Sequence, residues 1–313
     1  MGVNIIAIIS LLILFLILSK SADLIVLNLK KIGKKLGIKI FFLGIMLGII
    51  TTLPELAIGI NSLIKDVPDI SFGHLMGGNI VLLGLILSIS IILNRKIETN
   101  ESSKPFLFTL IYLFLPLIFG LSGQLNIFSG IVLIIGYFLL MNHLYKNNQK
   151  KAWVKINIIS KDRASKNLFY IMVGLLGVML SSELIVRTTL FILEDYNVSP
   201  FIVGLLFYSI GTNLPELTIA LRSFKRKVEE LSFSNLIGAT MAHILILGVF
   251  SFIRPINIEV NASYLFLTLF SLVFFILLYI FYRSDRLLSR KEGYALLFMY
   301  FLFLAGQIII QLY

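Results

Sequence analysis

The sequence predicts an all-α polytopic membrane protein of ten transmembrane helices, built as two inverted five-helix repeats. Three observations lead there. Of the 313 residues 58% are hydrophobic and only 14% are charged, with a mean hydropathy of +0.98. The apolar residues gather into ten runs, each long enough to cross a bilayer. The segment Thr51-Thr52-Leu53-Pro54-Glu55 in the second run is written again as Thr212-Asn213-Leu214-Pro215-Glu216 in the seventh. Such a composition excludes an ordinary soluble domain. The net charge of +11 does not mark a nucleic-acid binder, because the basic residues lie between apolar runs, where they orient a membrane protein and meet anionic lipid. The absence of cysteine excludes disulfides, thiolate metal sites and cysteine nucleophiles.

In chain order the runs fall at 3–28, 38–64, 71–93, 106–121, 125–145, 167–190, 200–223, 231–253, 262–282 and 293–312. The first is read as a span and not as a secretion signal, since no basic residue precedes it and no small-residue cleavage site follows. The second and seventh each hold a proline beside a glutamate. Within a helix Pro54 has no N–H for the carbonyl of Ile50, nor Pro215 for that of Gly211, so both segments are expected to kink and leave backbone oxygens without an internal partner. The third and eighth follow as small-residue helices suited to close approach, with Gly77, Gly78, Gly238 and Ala239 in matching places. Alternate connections then collect 23 of the 27 Lys and Arg residues on one side, while the other holds only Lys65, Arg187 and Arg254. By the positive-inside rule the basic side is cytoplasmic and both termini lie on the non-cytoplasmic side. A plasma membrane is the simplest host.

The repetition extends beyond the five-residue segment. At an offset of 161, Ile49, Thr51, Leu53, Pro54, Glu55, Leu56 and Ser62 fall on Ile210, Thr212, Leu214, Pro215, Glu216, Leu217 and Ser223. In the following helix Ser71, Phe72, Leu75 and Gly77 fall on Ser232, Phe233, Leu236 and Gly238. Ser21-Ala22-Asp23-Leu24-Ile25-Val26 also returns as Ser181-Ser182-Glu183-Leu184-Ile185-Val186. The expected organisation is a first five-helix repeat at 1–145, a basic cytoplasmic linker at 146–166 and a second repeat at 167–313. Five is odd, so the second unit enters the membrane from the opposite side, the arrangement secondary transporters use for alternating access.

A carboxylate in the middle of a membrane span costs several kcal/mol and marks an ion or substrate path. Glu55 and Glu216 are two such groups in equivalent positions. Thr51 and Thr212 lie four residues before them, so hydroxyl and carboxylate project from one helix face a turn apart. Carboxylates, hydroxyls and freed carbonyls are hard oxygen donors suited to calcium, sodium or magnesium. Asn79 and Thr240 are candidates for further oxygen ligands or for interhelical hydrogen bonds. Asp23 and Glu183 are candidates for gating or helix-docking contacts, or for simple solvation at a helix end. His74 is assigned to capping or packing, and His143 lies near the inner boundary.

Thr-Thr-Leu-Pro-Glu before a Gly-rich helix, and Gly-Thr-Asn-Leu-Pro-Glu before Ser-Asn-Leu-Ile-Gly, resemble the two alpha-repeats of the cation/calcium exchanger (CaCA) superfamily, in particular its prokaryotic sodium/calcium exchangers. The likeness covers the whole chain. It implies Glu55, Glu216, Thr51 and Thr212 as calcium ligands, with Thr52, Asn213 and backbone oxygens near Gly48 and Ser209 beside them. It also implies Na+ or H+ as counter-ion, with no bound cofactor. The chain departs from that pattern where the sodium exchangers carry serine, asparagine and aspartate. Here stand Gly78, Ala239, Leu82 and His243, so four side-chain oxygens are missing. His243 would titrate near neutral pH if unperturbed, which opens proton coupling beside sodium coupling; the plainer role is an interhelical donor.

The expected function is secondary active antiport of Ca2+ against Na+ or H+, with lipid and inorganic cations as the only partners. The alternatives are proton-coupled antiport of Mg2+ or Mn2+, and a membrane sensor that does not transport. An intramembrane hydrolase would need a His-Glu-x-x-His helix or a nucleophile elbow, and the sequence contains neither.

Overall fold

The computed structural model describes residues 5–33, 40–98, 103–147, 164–195, 199–214, 216–217, 220–221, 229–284 and 287–312. In chain order the helices are α1 (Ile5–Gly33), α2 (Ile40–Thr51), α3 (Leu53–Ile64) and α4 (Pro68–Asn94). α5 (Lys104–Gly120), α6 (Ile127–Asn147), α7 (Ala164–Asp195) and α8 (Pro200–Thr212) follow, then α9 (Glu229–Ile253), α10 (Ala262–Arg283) and α11 (Arg290–Leu312). Most of the expected linker at 146–166, and Pro215, lie outside the described residues.

The protein is an all-α polytopic membrane protein. Among the described residues six helices are long and apolar enough to cross a bilayer: α4, α10, α11 and the stretches Ile127–Leu144, Phe169–Phe191 and Ser232–Ile253. α3, α5 and α8 are shorter apolar helices. Polarity runs inside out relative to a soluble fold. Large apolar side chains such as Leu12, Leu269, Phe298 and Leu312 point outward, whereas Glu55, Asn79, Glu216, Asn235 and His243 have no exposure at all. Lipid accepts the first group, and only the protein interior can hold the second.

The second apolar run does not form one kinked helix. α2 ends at Thr51 and α3 starts at Leu53, with Thr52 between them at φ −80°, ψ 10°. The seventh run stops in the same way, α8 ending at Thr212 with Asn213 at φ −83°, ψ 12°. Thr52 and Asn213 are partners at the 161-residue offset. The break therefore falls two residues ahead of Pro54, where the first-turn position of α3 tolerates a residue without an N–H. α4 and α8 each contain a π-helical turn, Val81–Ile86 and Val203–Tyr208.

Glycines set how closely the helices approach. A methyl group on Gly77 of α4 would lie 2.2 Å from the carbonyl oxygen of Leu205 in α8, and one on Gly238 of α9 2.6 Å from Cα and O of Ile45 in α2. α4 therefore packs backbone to backbone on α8, and α9 on α2. α1 and α7 form a separate close pair, with Gly174 and Gly177 seated on Ser21 and Ile25. A small apolar cluster around Phe15, Leu18, Ile25, Val178 and Ile185 joins this pair to the remaining helices, apart from the main core.

Two short ladders that the sequence did not announce tie the connections together. β1 (Lys96–Glu98) pairs antiparallel with β4 (Leu287–Ser289), and β2 (Gln124–Leu125) with β3 (Ile256–Asn257). Nearby, Arg254 Nη1 meets Asp66 Oδ1 at 2.6 Å with both side chains more than half exposed. Asp66→Asn removes the charge but keeps a residue that tolerates the local φ of 60°. It is expected to change thermal stability by no more than about 1 kcal/mol, checked by melting in detergent.

Candidate functional site

The two helix breaks bring the paired motifs together. Glu55 stands in the first turn of α3, Thr51 ends α2 and Thr212 ends α8, while Glu216 follows the Asn213 break. Both carboxylates are fully buried, and they lie within electrostatic reach of each other. The contacts cross between the motifs: Glu55 faces the hydroxyl of Thr212, and Glu216 faces that of Thr51. None of the four carboxylate oxygens completes a hydrogen bond among the described residues. The two hydroxyls also face backbone carbonyls of their own helices. Thr51 Oγ1 donates to the carbonyl of Gly48 (3.0 Å) and Thr212 Oγ1 to that of Tyr208 (3.0 Å). Each of these hydroxyls therefore lies between a backbone carbonyl of its own helix and the carboxylate of the opposite motif.

Neighbouring groups repeat this pattern. Thr52 Oγ1 donates to Ile49 O at 2.8 Å. Asn213 Nδ2 donates to Ser209 O at 2.6 Å, which holds the amide with its Oδ1 buried and without a partner among the described residues. The carbonyl of Gly48 accepts from both Thr51 Oγ1 and the Thr52 N–H (3.2 Å). The backbone oxygens expected near Gly48 and Ser209 thus already accept side-chain donors, although a carbonyl oxygen has a second lone pair to offer. A centre so rich in acceptors and so poor in donors is repulsive by itself. It suits a cation or protons.

The secondary candidates separate. His243 Nδ1 donates to Asn79 Oδ1 at 3.0 Å, and its ring fills the space over Gly78, where a methyl group would lie 2.7 Å from Cε1. The imidazole therefore takes the room that a side chain at 78 would need. Thr240 Oγ1 donates to Ile237 O within its own helix. Asp23 is half-buried on α1 and within electrostatic reach of Glu216, closer to the central pair than its place in the sequence suggests. Glu183 instead pairs with Arg187 Nη2 at 2.5 Å on an outward part of α7.

Two residues at the centre escaped the sequence reading. His74, assigned there to capping or packing, brings Nε2 to 2.8 Å from Thr212 Oγ1. The imidazole tautomer sets which of the two donates. Tyr208 itself carries no motif. Only the π-helical turn and its contacts single it out.

Comparison with known proteins agrees with this geometry. The sodium/calcium exchanger protein family model matches residues 6–146 and 166–309. The sodium/calcium exchanger MaX1 of Methanosarcina acetivorans is 23% identical, over 92% of this chain and 94% of that one. A solved structure of the sodium-calcium exchanger NCX_Mj, soaked with Na+ and Sr2+, superposes with a TM-score of 0.68 at 27% identity, over 97% of this chain and 99% of that one. The H+/Ca2+ exchanger CAX shares the fold, with a TM-score of 0.76 at 14% identity over 97% of this chain and 84% of that one. The resemblance carried by the two Leu-Pro-Glu segments is thus borne out along nearly the whole chain, which belongs to the sodium/calcium exchanger protein family and is a secondary active cation antiporter.

Proposed function

We propose that Glu55, Glu216, Thr51 and Thr212 bind one Ca2+ at the centre of the protein and that the chain exchanges it for Na+ or H+ by alternating access. Asn213 Oδ1, the Thr52 hydroxyl and the Gly48 and Ser209 carbonyls stand beside this set. The observation that carries the reading is the crossed arrangement of two fully buried carboxylates, each facing the threonine hydroxyl of the opposite motif. A divalent cation neutralises the pair. When it leaves, two smaller positive charges must replace it, because two uncompensated carboxylates in a low dielectric are strongly disfavoured. Exchange, and not leak, follows from that requirement.

The same reading takes the chain as ten spans in two inverted repeats, 1–145 and 167–313, joined at 146–166. In support, Thr52 and Asn213 share one backbone conformation, and the offset partners Gly77 and Gly238 each seat a helix of one half on a helix of the other. The ladders agree as well: a two-fold that exchanges the halves carries the β1–β4 connections onto β3–β2. Both termini then lie on the non-cytoplasmic side of a plasma membrane, with the basic connections inside.

Protons are favoured over sodium by one feature. Gly78, Ala239 and Leu82 bring no side-chain oxygen, and His243 spends Nδ1 on Asn79. Protons need no such oxygens, since the carboxylates themselves accept them. Calcium uptake by proteoliposomes should therefore be driven by a pH gradient and persist without sodium. Uptake that requires a sodium gradient would reverse this assignment, whereas flux of Mg2+ or Mn2+ in preference to Ca2+ would change the substrate. No flux under any gradient would point to a sensor.

A further inference from the structure

Tyr208 connects the central site to the helix pair α1 and α7. It lies one turn before Thr212 on α8 and is 1% exposed. Its hydroxyl donates to Thr189 Oγ1 at 2.6 Å and lies 3.3 Å from Ile185 O, both on α7. Its ring meets Phe15 of α1 edge to face (centroids 5.7 Å apart) and His74 of α4 in the same manner (5.9 Å). Its carbonyl accepts the hydroxyl of Thr212, which His74 also contacts. One residue thus touches a proposed cation ligand through its backbone and both α1 and α7 through its side chain.

Two further facts give this contact a direction. α1 and α7 are packed closely on each other and meet the rest of the protein through the smaller apolar cluster, of which Tyr208 is a member. A pair joined in this way can shift as a unit more cheaply than helices embedded in the main core. In the first half the position equivalent to Tyr208 is Leu47. Leucine has no hydroxyl, so that position cannot make the same bond.

We propose that Tyr208 is a one-sided gate: its bond to Thr189 holds α1 and α7 against the Thr212 end of α8 and biases the exchanger toward closure at the face where α7 ends and α8 begins. The inference rests on the transport reading above. It treats Tyr208 as a positioning residue and not as a ligand. Opening on that face requires the phenol to leave Thr189, a bond that Leu47 at the equivalent position of the first half cannot make. The two faces should therefore differ in apparent cation affinity.

Tyr208→Phe keeps the ring and removes the bond; Thr189→Val removes it from the other side with little change in volume. Calcium flux in oriented proteoliposomes, with Ca2+ offered at either face, reads the result. Each variant should shift the ratio of the two apparent affinities toward the gated face by about fivefold, the scale of one buried hydrogen bond. The double variant should add nothing to either single change. A structural role would lower the maximal rate and leave the ratio of the two affinities unchanged, and that outcome overturns the gate, as does full additivity. Since the chain has no cysteine, Ser182→Cys on α7 offers a readout independent of transport. The same cysteine is compared with Tyr208 intact, because the serine hydroxyl also accepts from Asn61 Nδ2 of α3 at 3.1 Å. Labelling from the gated face by a water-soluble thiol reagent should rise several-fold in the Tyr208→Phe background. Unchanged labelling refutes the gate even if flux is normal, whereas absent flux in the otherwise unmodified protein with altered labelling refutes only the transport reading.

Discussion

Glu55→Gln abolishes calcium exchange, and Glu216→Gln does the same; each is expected to lower the rate at limiting Ca2+ by at least about 100-fold, since removing one partner from a buried charge cluster costs about 3–5 kcal/mol and 1.4 kcal/mol is a factor of ten. The substitution is nearly isosteric, so its effect is one of charge. The wild-type centre presents two fully buried carboxylates within electrostatic reach of each other. A glutamine amide leaves one negative charge for a divalent ion. Radioactive calcium uptake in proteoliposomes measures the loss. Thermal melting without calcium supplies the control, because each variant should melt at or above the wild-type temperature once the repulsion between Glu55 and Glu216 is relieved. Near wild-type uptake by either variant would remove the central pair from the mechanism.

The second large effect is steric. Gly77→Ala and Gly238→Ala should each destabilise the protein by about 2–3 kcal/mol, the upper range for overpacking a close-fitting interior. At Gly77 the new methyl group meets the backbone of Leu205 at 2.2 Å, and at Gly238 it meets that of Ile45 at 2.6 Å. Backbone cannot rotate aside, so α4 must draw away from α8, or α9 from α2. Gly293→Ala is the contrasting case. Its methyl group would touch only the side chains of Ile91 and Ile92, at 3.0 Å or more, and these can turn. Melting curves of the three variants in one detergent give the comparison; equal costs would mean that contact with backbone is not what makes Gly77 and Gly238 necessary.

Much of the site was legible because membrane burial makes polar residues expensive. Glu55 and Glu216 stand out of apolar runs, Pro54 and Pro215 stand beside them, and the repeat supplies the pairing. Thr51 and Thr212 follow from helical spacing alone. Other residues gave no such signal. His74 occupies a position where the second half has Asn235, and nothing local distinguishes a packing histidine from one hydrogen-bonded to a threonine on another helix. Tyr208 looks like one more aromatic in an apolar run. The four-residue spacing placed hydroxyl and carboxylate of the same motif together, yet the carboxylates face the threonines of the opposite motifs. That crossing depends on how two broken helices lie beside each other.

By itself the sequence determined that this is a membrane protein, that it contains two related motifs and that two acids lie within them, because hydropathy, spacing and repetition are properties of the chain read in one dimension. The tertiary structure alone decided which hydroxyl meets which carboxylate, that each break falls at Thr52 or Asn213 ahead of the proline, and that His243 fills the space over Gly78. Those outcomes depend on helices that approach so closely at glycines that an added methyl group would lie 2.2–2.6 Å from the facing backbone, and on which side chains that approach brings together. Both are fixed only when distant segments pack.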